Sequence, residues 1–159
     1  MSFGTGHHAT TASVIELMLQ QNFAGKTVLD FGSGTGVLAI LAEKLNAQAV
    51  TAIDNEEWAY HNCIENIERN NCKVIQPILG DDNFKFSEKF DIILANINRN
   101  VILKNMANWC PLLHAGGLLI VSGILQSDEK DVVAEALKNG LTLNKIVNKD
   151  GWLAIAFNK

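Results

Sequence analysis

The sequence predicts a doubly wound α/β domain on a mostly parallel, seven-stranded sheet with an antiparallel last strand. Two features carry the prediction. Short apolar runs alternate with segments of helical period, the mark of βα units feeding a parallel sheet. The last two apolar runs are instead separated by Lys149-Asp150-Gly151, a hairpin turn, so the chain closes on an antiparallel pair. A length of 159 residues suits one domain, and 48% hydrophobic beside 19% charged residues supplies a sizeable core.

The elements follow in order. A first helix is expected from about Thr10 to Gln21, capped by Thr10 or Thr11, because Val14, Leu17 and Met18 share a helical face. Gly25-Lys26 turns the chain into a buried strand, Thr27 to Phe31. Beyond a glycine loop, Val37, Leu38, Leu41 and Leu45 mark a second helix. Ala49 to Ile53 is the second strand and ends at Asp54. Asn55 is placed to cap a third helix, whose positive end suits Glu56 and Glu57; Tyr60, Cys63, Ile64 and Ile67 line it. Val74 to Leu79 is the third strand, and Pro77 within it implies an edge or a bulge, since proline cannot donate to a ladder. Asp91 to Ala95 is the fourth strand, followed by a helix lined by Ile102, Met106 and Trp109. Leu118 to Val121 is the fifth strand; Ser127, Asp128 and Glu129 open another helix that Gly140 stops. Leu141 to Val147 and Trp152 to Phe157 form the closing pair.

Composition narrows the function. No apolar run approaches a membrane span, and the N-terminus lacks the basic-then-apolar pattern of a secretory signal. Cys63, Cys72 and Cys110 are odd in number and contain no CxxC pair, which argues against a disulfide framework or a metal site and for the cytoplasm. The formal charge is −4. No Lys/Arg cluster offers a footprint for phosphates, so no direct nucleic-acid binding is expected.

The chemistry concentrates in Val28-Leu29-Asp30-Phe31-Gly32-Ser33-Gly34-Thr35-Gly36, between the first strand and its helix. In a doubly wound, Rossmann-like sheet a nucleotide-like ligand lies there, and glycines permit close backbone approach and positive φ. The spacing is GxGxG, not the GxGxxG of dinucleotide sites. A carboxylate at Asp30 repels a pyrophosphate but attracts the ammonium of an amino-acid moiety. S-adenosylmethionine offers that ammonium and has no phosphate. Asp54, at the end of the second strand, is placed to accept both ribose hydroxyls, or alternatively to cap a helix. Asp81, after the third strand, is a candidate for the exocyclic amine of adenine, against ordinary turn chemistry shared with Asp82 and Asn83.

Three further segments, Phe3-Gly4-Thr5-Gly6-His7-His8-Ala9-Thr10-Thr11, Ala95-Asn96-Ile97 and Leu119-Ile120-Val121-Ser122-Gly123-Ile124-Leu125, join Leu29 to Gly36 in a specific likeness. Together they resemble the catalytic domain of the bacterial methyltransferases of ribosomal large-subunit protein eleven, the PrmA type. The likeness covers nearly the whole chain. It implies a class I S-adenosylmethionine-dependent methyltransferase, with Thr11, Gly32, Asp54 and Asn96 at the cofactor, Asp30, Gly34 and Asp81 completing the set read above. It further implies N-methylation of lysine side chains and an α-amino group of a ribosomal protein partner. His7, Ala9 and Ser33 depart from the family's usual Thr, Pro and Cys. The family also carries an N-terminal recognition domain, so this chain, beginning at the FGTG segment, is expected to be the catalytic part, with residues 1–159 one cofactor-binding domain.

Asn96 is the candidate catalytic residue. A lysine amine with a pKa of about 10.4 is almost wholly protonated near neutrality, and a neutral acceptor oxygen favours the reactive free base where a carboxylate favours the ammonium. Asn96-Ile97-Asn98 lacks the prolines and aromatic of the Asn-Pro-Pro-aromatic motif in other amine-methylating enzymes. Adjacent His7 and His8 alternate in direction and have no acidic or cysteine partner nearby, so no metal site is expected. His61 and His114 read as surface residues, and Trp58, Trp109 and Trp152 as core or edge packing. Three rival functions remain: an amine methyltransferase for a small molecule or nucleic-acid base, a non-catalytic S-adenosylmethionine-binding module, and an NAD-dependent oxidoreductase, which the glycine spacing and Asp30 disfavour.

Overall fold

Strands that bury both faces need helices on both sides, and the alternation of βα units supplies them. The computed structural model, which describes residues 9–159, runs α1 (Ala9–Leu19), β1 (Thr27–Phe31), α2 (Val37–Lys44), β2 (Ala49–Asp54), α3 (Glu57–Arg69), β3 (Ile75–Leu79), β4 (Phe90–Asn96), α4 (Arg99–Trp109), β5 (Leu113–Leu125), α5 (Glu129–Lys138), β6 (Thr142–Lys149) and β7 (Trp152–Asn158). The sheet order is β3-β2-β1-β4-β5-β7-β6. The first five strands pair in parallel, and β7 runs antiparallel to both β5 and β6. Strand order reverses between β1 and β4, the switch point at which ligands bind in open α/β sheets.

Alternation along the strands divides the core. On one face Val28, Ile92, Leu94 and Ile120 meet Val14, Leu17 and Met18 of α1 and Leu38, Ala39 and Ala42 of α2. On the other, Leu29, Phe31, Ile93, Leu119 and Val121 meet Ile102, Met106 and Trp109 of α4 and Val132 and Ala136 of α5. Trp109 stands edge-on to Phe31 with ring centroids 5.3 Å apart.

Local chemistry accounts for the boundaries. Pro77 does lie on an edge, since β3 is the outermost strand. The final hairpin turns on Asp150 (φ 55°) and Gly151 (φ 83°), the two left-handed residues a type I′ turn requires. Three expectations are corrected. The first helix already includes Ala9, so Thr10 and Thr11 lie within it, fully buried, and neither caps it. The cap position of α3 belongs to Glu56, not Asn55, and it is the Asp54 carboxylate that accepts the Glu56 N–H at 2.9 Å. Strand β5 is far longer than Leu118 to Val121: it begins with Leu113 opposite Phe90, and Ala115-Gly116-Gly117 falls in the register shift that follows, with Gly116 at φ +81°.

Candidate active site

The tips of β1, β2 and β4 surround a cavity of about 440 Å³. Its wall includes Gly32 and Gly34 from the turn after β1, Asp54 at the end of β2, Asp81 after β3 and Asn96 at the end of β4. Four separate stretches of sequence therefore converge because parallel strands end on the same side of the sheet.

The glycine turn is held by backbone and carboxylate. Gly32 and Ser33 both donate to the Ile53 carbonyl, at 2.8 and 3.0 Å, which ties the turn to β2. Gly32, Gly34 and Gly36 all adopt positive φ, and at Gly36 a Cβ would also fall 2.7 Å from the Cys63 Sγ. Asp54 Oδ2 accepts the Gly34 N–H at 2.8 Å while Oδ1 accepts Glu56 N–H. Asp54 therefore both closes the turn that leads into α3 and lines the cavity, and each carboxylate oxygen keeps a further lone pair. Asp81 likewise combines two roles: its Oδ1 closes a local turn by accepting the Asn83 N–H at 2.9 Å, and the residue lines the cavity.

Two predicted residues sit behind this wall. Asp30 is 1% exposed, and among the described residues nothing hydrogen-bonds its Oδ2. Burial pushes its carboxyl up to about 7, the nearby Asp54 charge adds to the rise, and a hydrogen bond from the Ala39 backbone opposes it. Thr11 is one hydrogen bond removed from the cavity: its Oγ1 accepts from Asn96 Nδ2 at 3.0 Å, in a wholly buried contact between α1 and β4. That bond fixes the Asn96 amide with its Oδ1 left over, buried and unpartnered among the described residues. The Phe3–Gly6 segment and His7 and His8 lie outside the described residues. Among the described residues no group of three or more His, Cys, Asp or Glu side chains gathers as a metal site, and no helix is long and apolar enough to cross a membrane.

Several cavity residues escaped the sequence reading. Trp58, read as core or edge packing, is 49% exposed and lines the cavity from the first turn of α3. Ile97 and Val101 also line it. The position of Trp58 just after Asp54, at a helix start, was the available signal; Ile97 offered none beyond adjacency to Asn96. Trp109 is in the core, as expected, and His61 and His114 are exposed.

A sheet of this order, with a glycine turn after β1, a carboxylate ending β2 and an asparagine ending β4, defines the Rossmann-like class I fold of S-adenosylmethionine-dependent methyltransferases. The chain belongs to the ribosomal protein L11 methyltransferase (PrmA) family, whose model matches residues 1–159. A ribosomal protein L11 methyltransferase of Bacteroides fragilis is 42% identical over 158 residues, covering 99% of this chain and 56% of that relative; one of Bacteroides thetaiotaomicron gives the same identity and coverage. The chain thus spans about half the length of the curated relatives it matches. A crystal structure of ribosomal protein L11 methylase from Lactobacillus delbrueckii subsp. bulgaricus superposes with a TM-score of 0.89 at 27% identity, over 96% of this chain and 79% of that one. A methyltransferase from Pyrococcus furiosus, 21% identical, shares the fold with a TM-score of 0.80, over 93% of this chain and 82% of that one.

Proposed function

We propose that residues 1–159 form one domain that holds S-adenosylmethionine in this cavity. We further propose that the protein methylates amines of ribosomal protein L11, both lysine side chains and an α-amino group, in the cytoplasm. The observation that carries the reading is the composition of the strand tips. A glycine turn, the cavity carboxylates Asp54 and Asp81, and two buried oxygens without partners among the described residues, Asp30 Oδ2 and Asn96 Oδ1, converge there. This set of acceptors fits a zwitterionic nucleoside and is unsuited to a pyrophosphate, which the carboxylates repel.

In this reading Asp30 receives the ammonium of the amino-acid end, and Gly32 and Gly34 let the backbone approach it. Asp54 accepts the ribose hydroxyls with its remaining lone pairs, and Asp81 accepts from the adenine amine. When bound, the cofactor supplies an electrophilic methyl on a sulfonium. Asn96 Oδ1 accepts a hydrogen from the target amine. As a neutral acceptor it holds the amine as a free base, where a carboxylate would favour the ammonium. Thr11 keeps that oxygen available by taking the other end of the amide. The free buried cysteines are consistent with a reducing compartment.

The test is Asn96→Ala in the full-length protein, with turnover on L11 and cofactor affinity measured separately. Loss of the orienting acceptor is expected to lower turnover on the order of 100-fold, with affinity changed by no more than a few-fold. Unchanged values for both would end the assignment.

A further inference from the structure

The Asn96-Ile97-Asn98 turn is gripped from two sides by glycines distant from it in sequence. Gly123 sits where β5 bulges against β7, between Ser122 and Ile124, with φ +88°. A Cβ there would collide with the Ile97 carbonyl oxygen, and would lie 2.9 Å from its carbonyl carbon and 3.2 Å from its nitrogen. The backbone of β5 therefore lies directly on the main chain of Ile97, and Ile97 N–H donates to the Ser122 carbonyl at 3.1 Å. On the opposite side a Cβ at Gly32 would lie 2.5 Å from Ile97 Cγ2. The two contacts differ in kind. Gly32 meets the end of a side chain, which can be shortened; Gly123 meets main chain, which cannot.

We propose that Ile97 and Gly123 are positioning residues that set the gap between the glycine turn and Asn96. The inference rests on the reading above, in which the glycine turn borders the methyl donor and Asn96 holds the acceptor amine. Ile97 is the spacer: its side chain rests on one loop and its main chain is seated by the other. A bulge at Gly123 lets the spacer sit deep enough for its side chain to reach Gly32. Beyond Ile97, Asn98 anchors the turn to α4 by accepting the Val101 N–H at 3.1 Å, so displacement of Ile97 cannot be absorbed freely downstream. Methyl transfer depends on the separation of donor and acceptor, whereas binding of the cofactor alone does not.

Three measurements test this. In Gly123→Ala, exchange of the Ile97 amide hydrogen is expected to accelerate at least about tenfold relative to that of Val28, a distant strand amide; this needs no ligand. In the full-length protein, Gly123→Ala and Ile97→Ala are each expected to lower kcat at least about tenfold, and in Gly123→Ala, at a position that does not line the cavity, S-adenosylhomocysteine affinity is expected to change less than about threefold, a split that general destabilisation would not give. Finally, Gly32→Ala is expected to weaken S-adenosylhomocysteine binding and to recover part of the loss when combined with Ile97→Ala, whereas Ile97→Ala is expected to restore neither exchange protection nor kcat to Gly123→Ala. An unchanged Ile97 amide in a folded Gly123→Ala protein overturns the proposal, as does an unchanged kcat in both single variants. If Gly123→Ala fails to fold, the Gly32→Ala and Ile97→Ala pair decides, and absence of any recovery overturns it. A parent protein that does not bind S-adenosylhomocysteine sinks the functional reading, while the exchange measurement still judges the spacer.

Discussion

The two faces of the sheet are built differently at the strand tips. On the face covered by α4 and α5, apolar packing continues to the end: Phe31, Ala95 and Val121 remain in the core. On the face covered by α1 and α2, the apolar layer of Val28, Leu94 and Ile120 gives way one strand repeat later to Asp30, Asn96 and Ser122, all buried. Thr10, Thr11 and Ser13 of α1 are buried too, and Ser13 Oγ lacks a partner among the described residues. Burying polar atoms without satisfying them costs free energy. Among the described residues the α4–α5 core leaves one such atom, Trp109 Nε1, whereas the α1–α2 face gathers Ser13 Oγ, Asp30 Oδ2 and Asn96 Oδ1 toward the end where the cavity opens, so the polar cost is concentrated there.

That contrast can be broken most forcefully on the apolar face. Phe157 is fully buried within the α4–α5 core. Phe157→Ala should cost about 3–5 kcal/mol of stability. At temperatures where the variant stays folded, S-adenosylhomocysteine affinity by calorimetry should match the parent. A large loss of affinity would show that the two faces are not separate in function.

Asp30→Asn tests the polar face and should act with the opposite sign. The Asp30 carboxyl is raised from 3.8 to about 7 on folding. The folded state therefore holds a proton that the unfolded state has already released. The parent's stability from this group is complete below about pH 4 and is lost as pH rises to about 7. Asparagine carries no such loss. The variant should match the parent near pH 4, gain progressively, and plateau above pH 7 at an advantage on the order of 4 kcal/mol, read from urea unfolding at several pH values. A gain without pH dependence would remove Asp30 from the explanation.

The fold was largely legible in the sequence because its rules are local. The strand Thr27–Phe31 occurs with the expected bounds, Pro77 marks an edge, and Asp150-Gly151 makes the final turn. Each follows from a property of the residue itself. The long β5 was not legible, since Ala115-Gly116-Gly117 has no strand propensity and forms an irregular stretch, with Gly116 at φ +81°, where the register against β4 shifts. Of the candidate site, the glycine turn, Asp54, Asp81 and Asn96 were placed by their positions after strands. Ile97 was missed because its role exists only in relation to Gly32 and Gly123. Thr11 was read as a cap or a ligand contact, and its bond to Asn96 depends on how α1 docks across the sheet.

The smallest expected effect concerns cofactor affinity as pH changes, and it sharpens the comparison because no group on the apolar face can produce it. If Asp30 receives an ammonium, its charged form is the binding form. Below pH 7 the free protein holds Asp30 protonated, and binding must expel that proton. S-adenosylhomocysteine should therefore bind about tenfold more weakly at pH 6 than at pH 8, a difference of ~1.4 kcal/mol, with proton release detectable by calorimetry in buffers of different ionisation enthalpy. In Asp30→Asn the same titration should be flat. A parent with no pH dependence would mean that the ammonium lies elsewhere in the cavity, and the unpartnered Asp30 oxygen would then need a different occupant.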